Sequence, residues 1–207
     1  MLHTGFFIIL KKVKYSEADL ILTALSSLGE KKSFLARNAL KSKKRFGGGV
    51  LEPTHYVKLT YLNKEDRHQL NILEEAQLVN DFNSLRKNYD LLEFALQTVD
   101  CIYKICQEGD QNSATLYNLV GHTLKNLCKE NINLDLDLPI LKLQFYIKLL
   151  TEQGVLDPEP WMFGYLQTKL SDHEILRTKI LHDKNFVSQI ENKIKHYLLH
   201  ANLDESS

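Results

Sequence analysis

The apolar residues of this 207-residue chain change their period once, between Asn80 and Ser84, and that single change dictates a fold in two parts. Before it the runs are short and extended. Val57, Leu59 and Tyr61 are separated by Lys58 and Thr60, which puts one apolar set on one face of a strand. Residues 6–10 are doubly apolar, Phe6, Ile8 and Leu10 alternating with Phe7 and Ile9, and residues 20–25 form another run that stops at Ser26-Ser27-Leu28-Gly29. A third run covers residues 33–39, and a fifth, residues 69–79, follows the polar turn at 63–67. Five short strands, with the least strand-like stretch (residues 40–49) between the third and fourth, fit a five-stranded Greek-key barrel of the OB type. An SH3-like barrel is the alternative.

After Asp81 the spacing is helical. Leu91, Leu92, Ala95, Val99, Ile102 and Cys106 mark one face of a long helix closed near Gly109. Leu116, Val120, Leu124 and Leu127 mark a second, begun near Ser113. A third, from Pro139 to the residue before Gly154, is apolar nearly all round and is expected at the centre of its domain. Residues 157–160 break the chain, a short helix is expected over 161–169, and Phe186, Ile190, Ile194 and Leu198 mark a last amphipathic helix before an acidic end after Asn202. The predicted class is α+β: an OB domain over residues 1–80, then an all-helical, partner-binding domain over 81–207.

Charge divides at the same place. Residues 1–80 hold 13 Lys/Arg against 8 Asp/Glu, whereas the whole chain is balanced at 26 and 26. The excess is concentrated in Lys31, Lys32, Arg37, Lys41, Lys43, Lys44 and Arg45, a stretch without an acidic residue that closes in Gly47-Gly48-Gly49. Crowded like charges repel, and a phosphate backbone relieves the repulsion by charge-assisted hydrogen bonds and counterion release. A solvated loop is the bland alternative. Phe34, Phe46, Tyr56 and Tyr61 offer rings that either stack on unpaired bases or fill the barrel, Phe46 being the stacking candidate because it sits among charges.

Other chemistry is thinly represented. Gly49 is followed by Val50-Leu51-Glu52-Pro53, so the glycine triplet is no P-loop and instead permits a bend or close approach to phosphate. No nucleophile elbow, zincin or dinucleotide motif occurs. Glu17 and Asp19 read as turn-capping residues, and His196 and His200 as surface residues that share a helix face. Cys101, Cys106 and Cys128 have no paired spacing and read as free, buried thiols. The longest apolar run is too short to span a bilayer and the first residues lack the pattern of a secretory signal, so a cytoplasmic location is expected. Neither a metal nor another cofactor is called for.

The order Gly5-Phe6-Phe7-Ile8-Ile9-Leu10, Tyr15-Ser16-Glu17-Ala18-Asp19, Thr23, Gly29-Glu30-Lys31, Ala36-Arg37, Lys41-Ser42-Lys43-Lys44-Arg45-Phe46-Gly47-Gly48 and Leu51-Glu52-Pro53 resembles the bacterial recombination mediator family RecO. The resemblance implies a non-enzymatic protein that binds single- and double-stranded DNA and anneals complementary strands. It further implies work with RecR to load RecA onto DNA coated with single-strand-binding protein, at the nucleoid during repair. It places DNA contacts at Arg37, Lys41, Lys43, Lys44 and Arg45, with Lys31, Lys32 and Arg67 as outer candidates. Where relatives have a glycine after the third strand this chain has Asn38, which tolerates positive φ. Where many relatives carry a four-cysteine zinc module, here Gly154-Val155-Leu156-Asp157-Pro158 is followed by no cysteine, which implies a metal-free branch. Lys142 and Lys148, expected exposed on the central helix, are the candidates for holding the acidic tail of single-strand-binding protein. An OB-type RNA-binding factor and a protein-interaction scaffold are the functional alternatives.

Overall fold

A computed structural model describes residues 1–63, 70–107 and 114–201, without the side chains of Lys43, His200 and Ala201. The expected polar turn with Arg67, the helix limits at Gly109 and Ser113, and the acidic end lie outside the described residues. The described chain groups into two compact units, Met1–Asn83 with Val99–Asn118, and Ser84–Thr98 with Leu119–Ser207.

The first unit is a closed barrel of β1 (Leu2–Lys14), β2 (Leu20–Ser26), β3 (Lys31–Ala36), β4 (Tyr56–Leu62) and β5 (Asn71–Asn80), in the ring order β1-β2-β3-β5-β4. Every neighbouring pair is antiparallel except β3 and β5, which run parallel through Phe34 opposite Asn71 and Leu35 opposite Ile72. This is the OB arrangement that the strand count predicts. β1 is long because it pairs with both β2 and β4, and a register shift between Ile9 and Lys11 bends it from one partner toward the other.

Alternation decides what the barrel encloses. Val57, Leu59 and Tyr61 turn inward while Lys58 and Leu62 face solvent, and the same period sends Phe7, Ile9, Leu22, Ala24, Phe34 and Leu73 into one buried cluster. Phe34 meets Phe7 edge-on at 5.4 Å and Tyr61 at 5.0 Å between centroids. Ile8 and Leu10, on the opposite face of β1 from Phe7 and Ile9, are also buried, which accounts for the doubly apolar run. The helical piece that belongs to this unit is held by Lys31 Nζ donating to the Tyr103 carbonyl at 3.1 Å and by Lys11 lying 4.3 Å from the centre of the Tyr103 ring. The Tyr117 hydroxyl is pushed upward in pKa by its burial and by its hydrogen bond with Tyr56.

Between β3 and β4 the structure has a single helical turn, α1 (Lys43–Phe46), where the sequence shows only a non-strand segment. Asn38 adopts φ 56°, and Gly47 and Gly49 adopt 55° and 78°. The first is the positive φ that asparagine is expected to tolerate here, and the other two need glycine for the same left-handed backbone.

Elsewhere the helices are α2 (Tyr89–Ile105), α3 (Ala114–Leu127), α4 (Asp137–Glu152), α5 (Phe163–Gln167) and α6 (Arg177–Ala201). In the second unit α4 is buried on nearly all sides, through Leu138, Ile140, Leu141, Leu143, Phe145, Ile147, Leu149 and Leu150, as its unbroken apolar run requires. Gly154 ends it at φ 66°, while the Val155 amide reaches back to the Leu150 carbonyl at 2.9 Å. The last helix is longer than its apolar spacing suggests, starting at Arg177, and a 3-10 segment at Leu170–Leu176 precedes it.

One buried carboxylate ties these pieces together. Asp137, in the first turn of α4, accepts from Arg177 Nε at 2.7 Å, from Arg177 Nη2 at 2.8 Å and from the Asn133 amide at 2.8 Å, with His173 Nε2 3.8 Å away. Burial alone raises its pKa, but the Arg177 guanidinium, the Asn133 amide and His173 outweigh burial and hold it below the usual carboxylate range. The unfolded chain therefore takes up this proton before the native state does. The stability contributed is complete above the ordinary carboxylate pKa, near about 4, and is lost as pH falls through the lower native value. Acidification is expected to lower the melting temperature of the native chain more steeply than that of Asp137→Asn; parallel acid profiles would overturn this account.

Candidate nucleic-acid interface

The cations of the acid-free stretch do not form one uniform patch. Lys31 begins β3, is 7% exposed, and commits its ammonium to the Tyr103 carbonyl, with the Tyr103 ring centre 5.1 Å away. It is a structural residue, which corrects its assignment as an outer DNA contact. Lys32 is half-buried and paired with Glu30 at 2.9 Å. Arg45 is half-buried as well: Nη2 donates to the Arg37 carbonyl at 2.7 Å, Nη1 lies 4.0 Å from Glu74, and the guanidinium covers the Phe46 ring at 5.0 Å. Arg45 thus straps α1 to the end of β3 and has little freedom left for a ligand.

Arg37, Lys41 and Lys44 are exposed and have no acidic partner within 4.0 Å among the described residues. Arg37 and Lys41 lie in the turn after β3, and Lys44 in α1 just beyond it. The Lys41 and Ser42 amides both return to the Asn38 carbonyl, at 3.1 and 2.9 Å. The turn is in turn fixed to the β1–β2 loop, since the Asn38 amide donates to Asp19 Oδ1 at 2.8 Å and the Leu40 amide donates to the Ala18 carbonyl at 3.0 Å. Asp19 is therefore an anchor of the basic turn. The Lys43 side chain and Arg67 lie outside the described residues.

Phe46 is 1% exposed and packed in the barrel cluster with Leu51. This corrects its assignment as a base-stacking platform, because a ring sealed in the core presents no face to a base. Of the charged neighbours that suggested exposure, Lys44 faces solvent on a one-turn helix whose last residue, Phe46, points inward. Phe34 and Tyr61 are buried too. The exposed ring in this neighbourhood is Tyr15, 64% exposed in the β1–β2 loop, and its place between Lys14 and Ser16 in a polar loop was the available signal. Also unforeseen is the pair Lys12–Glu52, both carboxylate oxygens 2.6 Å from Lys12 Nζ. With Leu20, Leu40, Phe46, Leu51 and the glycine triplet it lines a cavity of about 180 Å³.

In the second unit, Lys142 and Lys148 are half-buried, which corrects the expectation that they stand free on α4. Lys142 pairs with Glu191 at 2.9 Å, and Lys148 donates to the Leu166 carbonyl at the end of α5, its burial lowering its pKa. Both serve the packing of α4, and a partner's acidic tail would have to displace those bonds. Cys101 and Cys106 are buried and Cys128 half-buried, none in a disulfide; burial, then Asp100, pushes the Cys101 thiol up to about 12. Among the described residues no three His, Cys, Asp or Glu side chains group as metal ligands, and no helix is long and apolar enough to cross a membrane.

Residues 1–82 match the family described as "Recombination protein O N terminal". Proteins named DNA repair protein RecO are similar over longer stretches. That of Desulfatibacillum aliphaticivorans is 30% identical over 128 residues, covering 62% of this chain and 49% of the relative. That of Desulfosudis oleivorans is 31% identical over 148 residues, 72% of this chain and 55% of the relative. That of Syntrophus aciditrophicus reaches 38% over 94 residues, 45% of this chain and 36% of the relative. The chain spans about half the length of the curated relatives it matches.

Proposed function

We propose that this chain, a member of the RecO family, acts in DNA repair and recombination by holding phosphate backbones on the turn and one-turn helix that carry Arg37, Lys41 and Lys44. The observation that carries the reading is three exposed cations, without an acidic partner among the described residues, on a turn hydrogen-bonded to its neighbour loop and on the one-turn helix that follows it. Neutralising phosphates on two strands lowers their mutual repulsion, so annealing needs positioned cations and no catalytic group. Single- and double-stranded DNA are the ligands, Lys43, Lys32 and Arg67 are further candidate contacts, and residues 1–80 form the DNA-binding domain. Residues 81–207 are the partner-binding domain, for RecR and the acidic tail of single-strand-binding protein, through which RecA is loaded. The protein is a cytoplasmic mediator and not an enzyme.

The test is fluorescence anisotropy with a labelled single strand over a salt series, beside an annealing assay with complementary strands. Affinity should fall linearly in log–log form with a slope of about −2 or steeper, the value for three phosphates at roughly 0.7 per contact. Binding that ignores salt would remove the basic turn from the mechanism. A strong preference for RNA over DNA of the same sequence would instead favour an RNA-binding role through 2′-hydroxyl contacts.

A further inference from the structure

The cavity beside the basic turn has walls unlike the turn itself. Leu20, Ala39, Leu40 and Leu51 make it apolar, Gly47, Gly48 and Gly49 contribute bare backbone, and the Lys12–Glu52 pair neutralises itself. A lining with no net charge does not hold a phosphate. It suits an uncharged, planar, partly polar ring, with Ser42 and the Lys12–Glu52 pair in the lining to meet its polar edge. Size agrees: a cavity of roughly 150 Å³ holds one benzene, and this one is about 180 Å³. Phosphate sites are adjacent along the chain, since Lys41 sits between the lining residues Leu40 and Ser42, and Lys44 is two residues before Phe46.

We infer that this cavity takes one unpaired nucleobase of single-ring size, while Arg37, Lys41 and Lys44 hold the phosphates on either side of it. The inference rests on the DNA-binding reading above and adds to it a site that only a single strand can fill, because a paired base cannot leave its stack without cost. It also gives Gly48 a role. Gly47 and Gly49 are required by their left-handed backbone, but Gly48 is not, and a Cβ built on it meets no atom within 4 Å. Gly48 is among the residues that line the cavity, and a side chain can be introduced there without a clash.

The experiment compares two strands with equal numbers of phosphates, one of thymidines and one abasic throughout, each titrated into the native protein at one salt concentration. The thymidine strand should bind about tenfold more tightly, the order of magnitude expected for burying one small ring among apolar side chains. Gly48→Val should bring thymidine binding down to the abasic value while leaving abasic binding and thermal unfolding unchanged. Equal affinities of native protein for the two strands would overturn the base site and leave the phosphate reading standing. Failure to bind either strand would overturn both, and a Gly48→Val protein that keeps the tenfold preference would move the base elsewhere.

Discussion

Replacing Arg37, Lys41 and Lys44 together by glutamate should weaken binding to a single strand by about hundredfold or more at 0.1 M salt. Each phosphate contact on a single strand contributes about 0.7 to the slope of log affinity against log salt, so three contacts are worth roughly two decades between 0.1 M and the 1 M reference. Reversal adds repulsion to that loss. The native fold should persist, because all three side chains are exposed and none has an acidic partner within 4.0 Å among the described residues. The comparison that sharpens the test is Arg45→Glu. Its guanidinium binds the Arg37 carbonyl and covers Phe46, so this variant should lose stability as well as affinity. A triple variant that binds like the native protein would mean that the exposed turn is solvated surface.

Phe46→Ala should lower unfolding stability by about 3–5 kcal/mol, the usual cost of deleting a buried phenyl ring. Against a total of roughly 5–15 kcal/mol for a domain, that is enough to bring the barrel near its unfolding threshold. The effect follows from its 1% exposure inside the cluster that contains Phe34, Val57 and Leu59. Phe46→Leu, which keeps much of the volume, should cost far less. Urea unfolding followed by near-ultraviolet circular dichroism reads the difference. A Phe46→Ala protein that unfolds at the native urea midpoint and loses only DNA affinity would restore the stacking role that burial denies to this ring.

Barrel strands were legible because one face of each is enclosed, so that Val57, Leu59 and Tyr61 had to alternate with polar residues. The one-turn helix α1 was not, since four residues carry no period and its formation depends on Phe46 finding the core. The start of α6 escaped for a related reason. Its first turns are held by Ile180 and by a polar pair, Tyr165 donating to Asp183 at 2.9 Å, in place of a regular apolar stripe. At the interface, charge density was legible and availability was not. Whether Lys31 faces a ligand is decided by the Tyr103 carbonyl, 72 residues further along the chain, and whether Arg45 does is decided by a carbonyl at the end of β3. Local sequence records that cations are present; only the fold records which have already been used.

The two backbone amides that fasten the basic turn, from Asn38 to Asp19 and from Leu40 to Ala18, bear on kinetics. A floppy lysine-rich loop would have to be ordered at each encounter, and the entropy of ordering would subtract from affinity every time. Here that entropy is surrendered once, during folding, and each arriving strand meets charges on a backbone already in place. Association then depends mainly on long-range steering, which salt screens, and dissociation on how many phosphates must let go at once. On the proposed DNA-binding reading, such a scaffold favours fast exchange over long residence.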